Sequence, residues 1–507
     1  MPPTATAPPR PSLFPRRELG VLLHPTSLCN REDVGTLGHG AYAFVDWLER
    51  AGVSLWQILP LTPNGLHDSP YFSSSAFAGN PWLVDLELLC EAGLLPEPAL
   101  HPGPRDARVP FAQLTQSKLP RLLAAAEALL AQPRHPWRDA FEAFREREAW
   151  LAHTAHFFAL GQLRQDAPWW SWEPGLRRRD PGALKKSRSL LAHSIEAWEA
   201  LLFFFDRQWR ELKRYANGKG IRVLGDLPIY VHHDSADVWR YREQFRLDRG
   251  GRMRVQSGVP PDYFSASGQL WGNPIYDWRR MARDGYSWWI ARLRRCVDLN
   301  DIVRIDHFRA LSAYWEVPGG ATDARSGRWV PGPGQPFFDA LAASFPEMPF
   351  VAEDLGTLDG AVHELRERNG LFGMRILQFG FDGLPDNAHR PDVFPEESLA
   401  YTGTHDNDTL SGWWEKLGPE TRGEVARYYQ FRPGAAVGTV VWSLIEAAVA
   451  CRSRVAVVPM QDLLVLDGRA RMNDPARLAG NWGWRLPPDG LSDELARSVR
   501  RLRERYR

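Results

Sequence analysis

Apolar residues along this chain gather into eight short, near-continuous runs, several of which close on Gly, Pro, Asp or His. They are GVLLHPT (20–26), LWQILPLTP (55–63), IRVLGDLPIYV (221–231), DIVRIDHF (301–308), PFVAEDLG (349–356), MRILQFGFD (374–382), LAYTGTHD (399–406) and RVAVVPMQDLL (454–464). A strand covered on both faces reads this way, and a polar residue at its end hands the chain to a loop. Between most of the runs the apolar spacing changes to that of a helix, at 41–50, 288–297, 336–343, 361–368 and 438–450. Eight alternating β and α units predict a (β/α)8 barrel of the α/β class.

Two gaps are too long for ordinary crossovers. Residues 64–220 must carry structure of their own, and good helix formers with apolar periodicity at 119–131, 139–163 and 194–216 predict a mainly helical insertion between strands 2 and 3. A smaller insertion follows strand 3 at 232–300, and its Gly- and Pro-rich stretch 257–274 predicts an ordered loop over the barrel mouth. The expected division is then a disordered N-terminal arm at 1–17, a barrel built from 18–63 and 221–507, and the two insertions. Neither gap repeats a unit, which argues against a solenoid.

Composition changes this picture only by exclusion. A formal net charge of +1 over 507 residues offers no basic field to attract nucleic acid and no acidic one to attract a cationic partner. Four scattered cysteines, with no CxxC pair, fit reduced thiols and a cytoplasmic location. No apolar stretch is long enough for a membrane span, and the first seventeen residues lack a signal-peptide core. No cofactor and no metal is expected. The 22 tryptophans supply indole faces suited to sugar rings, although most Trp in any protein is packing.

Chemistry enters at three strand ends, VRIDHF (303–308), VAEDLG (351–356) and YTGTHDND (401–408), which nominate Asp306, Glu353 and Asp406. Cleaving an acetal needs a proton for the leaving oxygen and a negative group on the opposite face of the ring, so glycosidases pair two carboxyls. Asp306 and Glu353 end consecutive strands and can converge over the barrel. Arg304, two residues before Asp306, shares its face of the strand and can keep it ionised. Glu353 then serves as acid and base with a raised pKa, Asp406 holds ring hydroxyls, and Asp354 reads as a supporting acid or helix cap. A metal-dependent barrel hydrolase using Asp306, His307, His405 and Asp406 as ligands, and a glucan-binding protein without catalysis, are the rival readings.

The strings RIDHF, AEDLG and GTHDNDT resemble the 4-α-glucanotransferases of glycoside hydrolase family 77, known as amylomaltases or disproportionating enzymes. The resemblance extends to LLHPTSL (22–28), WQILPL (56–61), DSPY and SAFAGNP (68–81), GVPPDYFS (258–265), WGNP (271–274), RMN (471–473) and GNWGWR (480–485), nearly the whole chain. It implies Asp306 as nucleophile, Glu353 as general acid/base and Asp406 as transition-state stabiliser. It also implies Tyr71, Ser69, Asp226, Arg304, His405 and Asn473 as sugar ligands, with Gln269 and Trp271 on the loop over the acceptor side. The implied activity is retaining transfer of α-1,4-glucan segments between maltooligosaccharide or amylose chains, with large cyclic glucans as a further product; the residues leave the oligomeric state open, with a monomer expected. An α-amylase-type hydrolase on the same barrel is the near alternative.

Overall fold

The computed structural model describes residues 12–96, 108–261, 266–356, 358–384, 386–432 and 434–506. Twelve strands are present among them: β1 (Glu18–Leu22), β2 (Leu55–Gln57), β3 (Arg222–Leu227), β4 (Val255–Val259), β5 (Gln269–Pro274), β6 (Ile302–Ile305), β7 (Ala313–Pro318), β8 (Arg328–Pro331), β9 (Phe350–Ala352), β10 (Gly373–Ile376), β11 (Ser398–Tyr401) and β12 (Val455–Pro459). Eight of them form one parallel sheet in the order β10-β11-β12-β1-β2-β3-β6-β9. A parallel bridge between Val351 and Phe372 joins its two ends. The sheet is therefore a closed barrel, and all eight apolar runs supply its staves.

Side chains alternate across each stave, so every second residue enters the barrel. Leu55, Leu224, Ile302, Val351, Phe372, Met374, Leu399, Val455 and Val457 pack together there. Near the top the same alternation turns polar, through Leu224 to Asp226 on β3 and through Ile302 to Arg304 on β6. At the bottom Phe14, fully buried, meets Phe372 edge-on at 5.1 Å. Here the structure corrects the expected disordered arm at 1–17: residues 12–17 are folded, because an apolar plug closes the open end of the barrel, and residues 1–11 lie outside the described residues.

Between β2 and β3 the chain is helical over Leu86–Glu91, Phe111–Ser117, Leu119–Ala131, Arg138–Arg147, Leu151–Leu163, Pro181–Leu190 and Ala192–Gly218. The last of these buries Leu201, Phe204, Phe205 and Trp209 and leads directly into β3. The single helix expected at 139–163 breaks at Glu148 (ψ 88°). The buried Glu148 carboxylate accepts from Trp150 Nε1 at 2.7 Å and Arg147 Nε at 2.9 Å, bonds that a straight helix would not bring together.

A second sheet, antiparallel in the order β5-β4-β7-β8, was not foreseen. The stretch 257–274, expected as a loop, forms most of the hairpin β4–β5, with residues 262–265 outside the described residues. Among the described residues no helix is long and apolar enough to cross a membrane.

Candidate active site

The polar top of the barrel assembles from the ends of β3, β6, β9 and β11. Asp226 and Arg304 are register neighbours on adjacent strands. Both are buried, and Arg304 Nη1 lies 2.8 Å from each Asp226 oxygen. The same nitrogen reaches Asp306 Oδ1 at 2.9 Å, so one guanidinium joins the fully buried acid to the partly exposed one. Arg304 Nε meets Met374 Sδ at 3.4 Å.

Glu353 follows β9 and is held by two backbone donors. His307 N–H donates to Oε2 at 2.7 Å and Leu355 N–H to Oε1 at 3.1 Å. His307 takes the left-handed conformation (φ 47°, ψ 48°), uncommon for a residue with a side chain and characteristic of functional turns. That turn aims the amide next to Asp306 at the carboxylate of Glu353, and so couples the two acids geometrically. The supporting acid Asp354 is buried and accepts from Met374 N–H at 2.6 Å while pairing with Arg366 at 3.2 Å.

Burial raises Glu353 above the usual carboxylate range, with Arg304 opposing and Asp354 adding to the rise. Burial also raises Asp306, opposed by Arg304 and reinforced by Asp226, Glu353 and Asp406. Two interacting acids release protons in steps that belong to the pair. Arg304 touches Asp306 at 2.9 Å, whereas among the described residues no ion pair joins it to Glu353, whose carboxylate has backbone donors instead.

After β11 the segment 402–408 turns over the mouth. Asp406 Oδ1 accepts from Asn473 Nδ2 at 2.6 Å and lies 3.4 Å from His405 Nε2. Asn473 N–H in turn donates to the His405 carbonyl at 3.0 Å. The His405 ring is buried, which lowers its pKa and keeps it neutral. It stacks on Tyr71 at 5.2 Å and 17°, and Tyr71 Oη donates to Asp226 Oδ2 at 2.6 Å. Tyr71, Asp226, Arg304, Asp306, His405, Asp406 and Asn473 thus form one connected wall, with Glu353 tied to it through the turn at His307.

The other expected ligands stand differently. Ser69 is buried, and its Oγ accepts from Tyr71 N–H at 3.2 Å, so it shapes the turn that presents Tyr71. Gln269 and Trp271 lie on β5, where Trp271 Nε1 donates to Gln269 Oε1 at 3.1 Å and the indole meets His307 edge-on at 4.7 Å. The hairpin therefore overlies the residue that follows Asp306. The tryptophans at 169 and 172 are buried in the core, and Trp170 stacks on His233 at 4.0 Å.

Trp482 was missed as a site residue. It packs on Tyr71 at 5.7 Å and on His405 at 5.9 Å and holds φ 63°. Its signal was the aromatic between glycines in GNWGW, but only the fold brings residue 482 beside residue 71. Arg471, whose guanidinium donates to the backbone carbonyls of Asp406 and Asn473, was likewise visible only inside RMN.

The arrangement brings two carboxyl groups on neighbouring strands together beside an aromatic wall, and substitution at a sugar acetal calls for such a pair. The family model described as 4-alpha-glucanotransferase, of glycoside hydrolase family 77, matches residues 23–492. The 4-alpha-glucanotransferase of Thermus thermophilus is 44% identical over 96% of this chain and 98% of its own. The chloroplastic/amyloplastic 4-alpha-glucanotransferase of Solanum tuberosum is 41% identical over 96% of this chain and 85% of its own. Among solved structures, an amylomaltase from Streptococcus agalactiae in complex with acarbose is similar, at 36% identity and a TM-score of 0.93, covering 97% of this chain and 99% of that one.

Proposed function

The chain belongs to the 4-alpha-glucanotransferases of glycoside hydrolase family 77, and from that premise we propose how its residues divide the work of retaining α-1,4-glucan transfer. Asp306 is the nucleophile, Glu353 the general acid and base, and Asp406 the group that holds ring hydroxyls as the sugar distorts. The observation that carries this division is the Arg304 guanidinium, which contacts Asp306 at 2.9 Å and Asp226 at 2.8 Å, while Glu353 has backbone donors instead.

In the first step an Asp306 oxygen forms a bond to the anomeric carbon, and the bond to the leaving oxygen breaks as Glu353 gives that oxygen its proton. In the second step the 4-hydroxyl of an acceptor chain gives its proton to Glu353. The acceptor oxygen bonds to the anomeric carbon, and Asp306 departs. Asp406, fixed by Asn473 and His405, is positioned for a hydroxyl pair on the donor ring, and Tyr71 with Trp482 supplies the apolar face against which that ring packs.

Water in place of the acceptor gives hydrolysis by the same groups. Preference for transfer then falls to the hairpin β4–β5, whose Trp271 and Gln269 overlie His307 and restrict what reaches the intermediate. Long donors place their own 4-hydroxyl within reach of this hairpin, and we infer large cyclic glucans from them. Incubation with maltotriose and, separately, with long amylose tests the proposal. A ladder of longer maltosaccharides together with glucose is expected, with cyclic products from amylose. Reducing ends rising in step with turnover would overturn it in favour of a hydrolase.

A further inference from the structure

Three arginines of the helical insertion and its neighbour lie within electrostatic reach of one another, and among the described residues none of them forms an ion pair. Arg179 follows a short helical turn (Pro174–Arg177), Arg188 lies on the helix Pro181–Leu190, and Arg240 ends the helix Ala236–Arg240. Trp239 organises them. Arg179 lies over its ring at 4.1 Å, Arg240 is its chain neighbour, and its Nε1 donates to the Leu176 carbonyl at 3.0 Å. His156 meets Trp239 edge-on at 5.7 Å and bonds Ser187 Oγ at 2.9 Å, which fixes the helix turn carrying Arg188. Tyr241 completes the group, under Arg240 at 5.0 Å and beside the His153 ring at 5.8 Å.

Arginine held this way normally finds a carboxylate. Among the described residues no ion pair or side-chain hydrogen bond involves Arg179, Arg188 or Arg240, and Arg179 Nη1 is buried with no hydrogen-bond partner. Arg179 holds φ 62° as the left-handed residue that ends the helical turn, where its N–H donates to the Leu176 carbonyl at 3.0 Å and the Asp180 N–H to that of Gly175 at 2.8 Å. Burial, then Arg240 and Arg188, lowers its pKa to about 10. The nearby acids do not answer it. Asp237 is buried and accepts from Ala76 N–H at 2.7 Å, and Glu243 is exposed to solvent. His153 is buried and neutral, held down by burial and then by Arg240, Arg179 and Arg188, and so keeps one ring N–H to donate.

We propose that Arg179, Arg188 and Arg240, with His153 and Tyr241 at their edge, form a binding site for a phosphate dianion, carried as inorganic phosphate or as the phosphomonoester of a sugar. Three oxygens with charge near −2 match three guanidinium forks, and their arrival removes the like-charge repulsion that the empty arrangement bears. The site uses none of the residues assigned to glucan transfer, so it stands or falls independently of that function.

Calorimetric titration of the full chain at low ionic strength, in a buffer free of phosphate and sulfate, tests it with inorganic phosphate and with glucose 6-phosphate. Saturable binding of at least one probe is expected, and the tighter one identifies the source. Arg179→Gln and the exposed Arg188→Gln should each weaken it by about tenfold or more, and Arg501→Gln on the C-terminal helix should leave it unchanged. Because Arg188 is exposed, its variant keeps the test valid if loss of Arg179 harms folding. Absence of saturable binding by both probes, or wild-type affinity in Arg188→Gln, would overturn the proposal.

Discussion

Arg304 is the residue whose loss most sharply separates this account from a purely structural role. In Arg304→Gln the fully buried Asp226 loses its cation and Asp306 its ion-pair partner. Stripping one partner from a buried pair costs about 3–5 kcal/mol, which urea unfolding monitored by circular dichroism will report. The catalytic effect is separate. An arginine in contact lowers an aspartate pKa by roughly 1–3 units, so its removal raises Asp306 by that amount and leaves it about 10- to 1,000-fold less ionised at a given pH. Raising the pH restores activity only in part, because Glu353, which Arg304 also holds down but does not touch, rises less than Asp306 and loses the proton it must donate before Asp306 is fully ionised. The acid limb of kcat/KM on maltotriose should therefore move up into the alkaline limb and leave a low, narrow maximum. The double variant Asp226→Asn with Arg304→Met removes both buried charges and should recover part of the lost stability without recovering rate. If Arg304→Gln reached the wild-type rate at a shifted optimum, or kept the wild-type acid limb, the assignment of Asp306 as the charged nucleophile would fail.

Glu353→Gln should lower kcat/KM on maltooligosaccharides by about 10²- to 10⁴-fold and abolish the alkaline limb, while an α-glucosyl fluoride donor, whose leaving group needs no proton, should lose far less; equal losses on both donors would contradict the acid role. Tyr71→Phe removes the 2.6 Å bond to Asp226 but keeps the ring over His405, and is expected to cost about 1–3 kcal/mol of stability with KM little changed, as steady-state kinetics beside urea unfolding will show. Trp271→Ala opens the covering hairpin and should raise the ratio of reducing-end release to glucose transfer severalfold; an unchanged ratio would place water exclusion elsewhere. Gly79→Ala puts a Cβ 1.8 Å from Phe205 Cδ1 and should destabilise by about 1–3 kcal/mol or more through overpacking, with kcat per folded molecule unaltered.

The barrel was legible because its signal is local. Each stave is a run of apolar residues a few positions long, and eight such runs separated by helical periodicity admit few architectures. The second sheet was not legible for the converse reason. Its strands β7 and β8 mix Tyr, Trp, Glu and Arg in AYWEVP and RWVP, and β4 and β5 are interrupted by Gly and Pro. Pairing across a bulge between Gln256 and Gly258 is what makes them strands, and pairing is not written in either segment alone. The break at Glu148 has the same origin: helix propensity runs through it, and a buried carboxylate with two side-chain donors outweighs that propensity.

The site divides along the same line. Asp306, Glu353 and Arg304 could be nominated because strand alternation and strand ends fix where such side chains point, and register pairing with Asp226 follows from adjacency of the third and fourth staves. Trp482 could not, since 411 residues separate it from the tyrosine it packs against, and neither could the turn at His307, whose left-handed backbone is set by where its amide must go. That turn sharpens the chemistry beyond the three acids. It ties Glu353 to the residue beside Asp306, and the same residue lies under Trp271. On the proposed roles, proton transfer and access to the intermediate share one residue. On those roles, a hairpin displaced by an incoming chain would act on the ring of the residue whose amide orients the acid, which would give acceptor binding a direct mechanical route to the step that activates the acceptor.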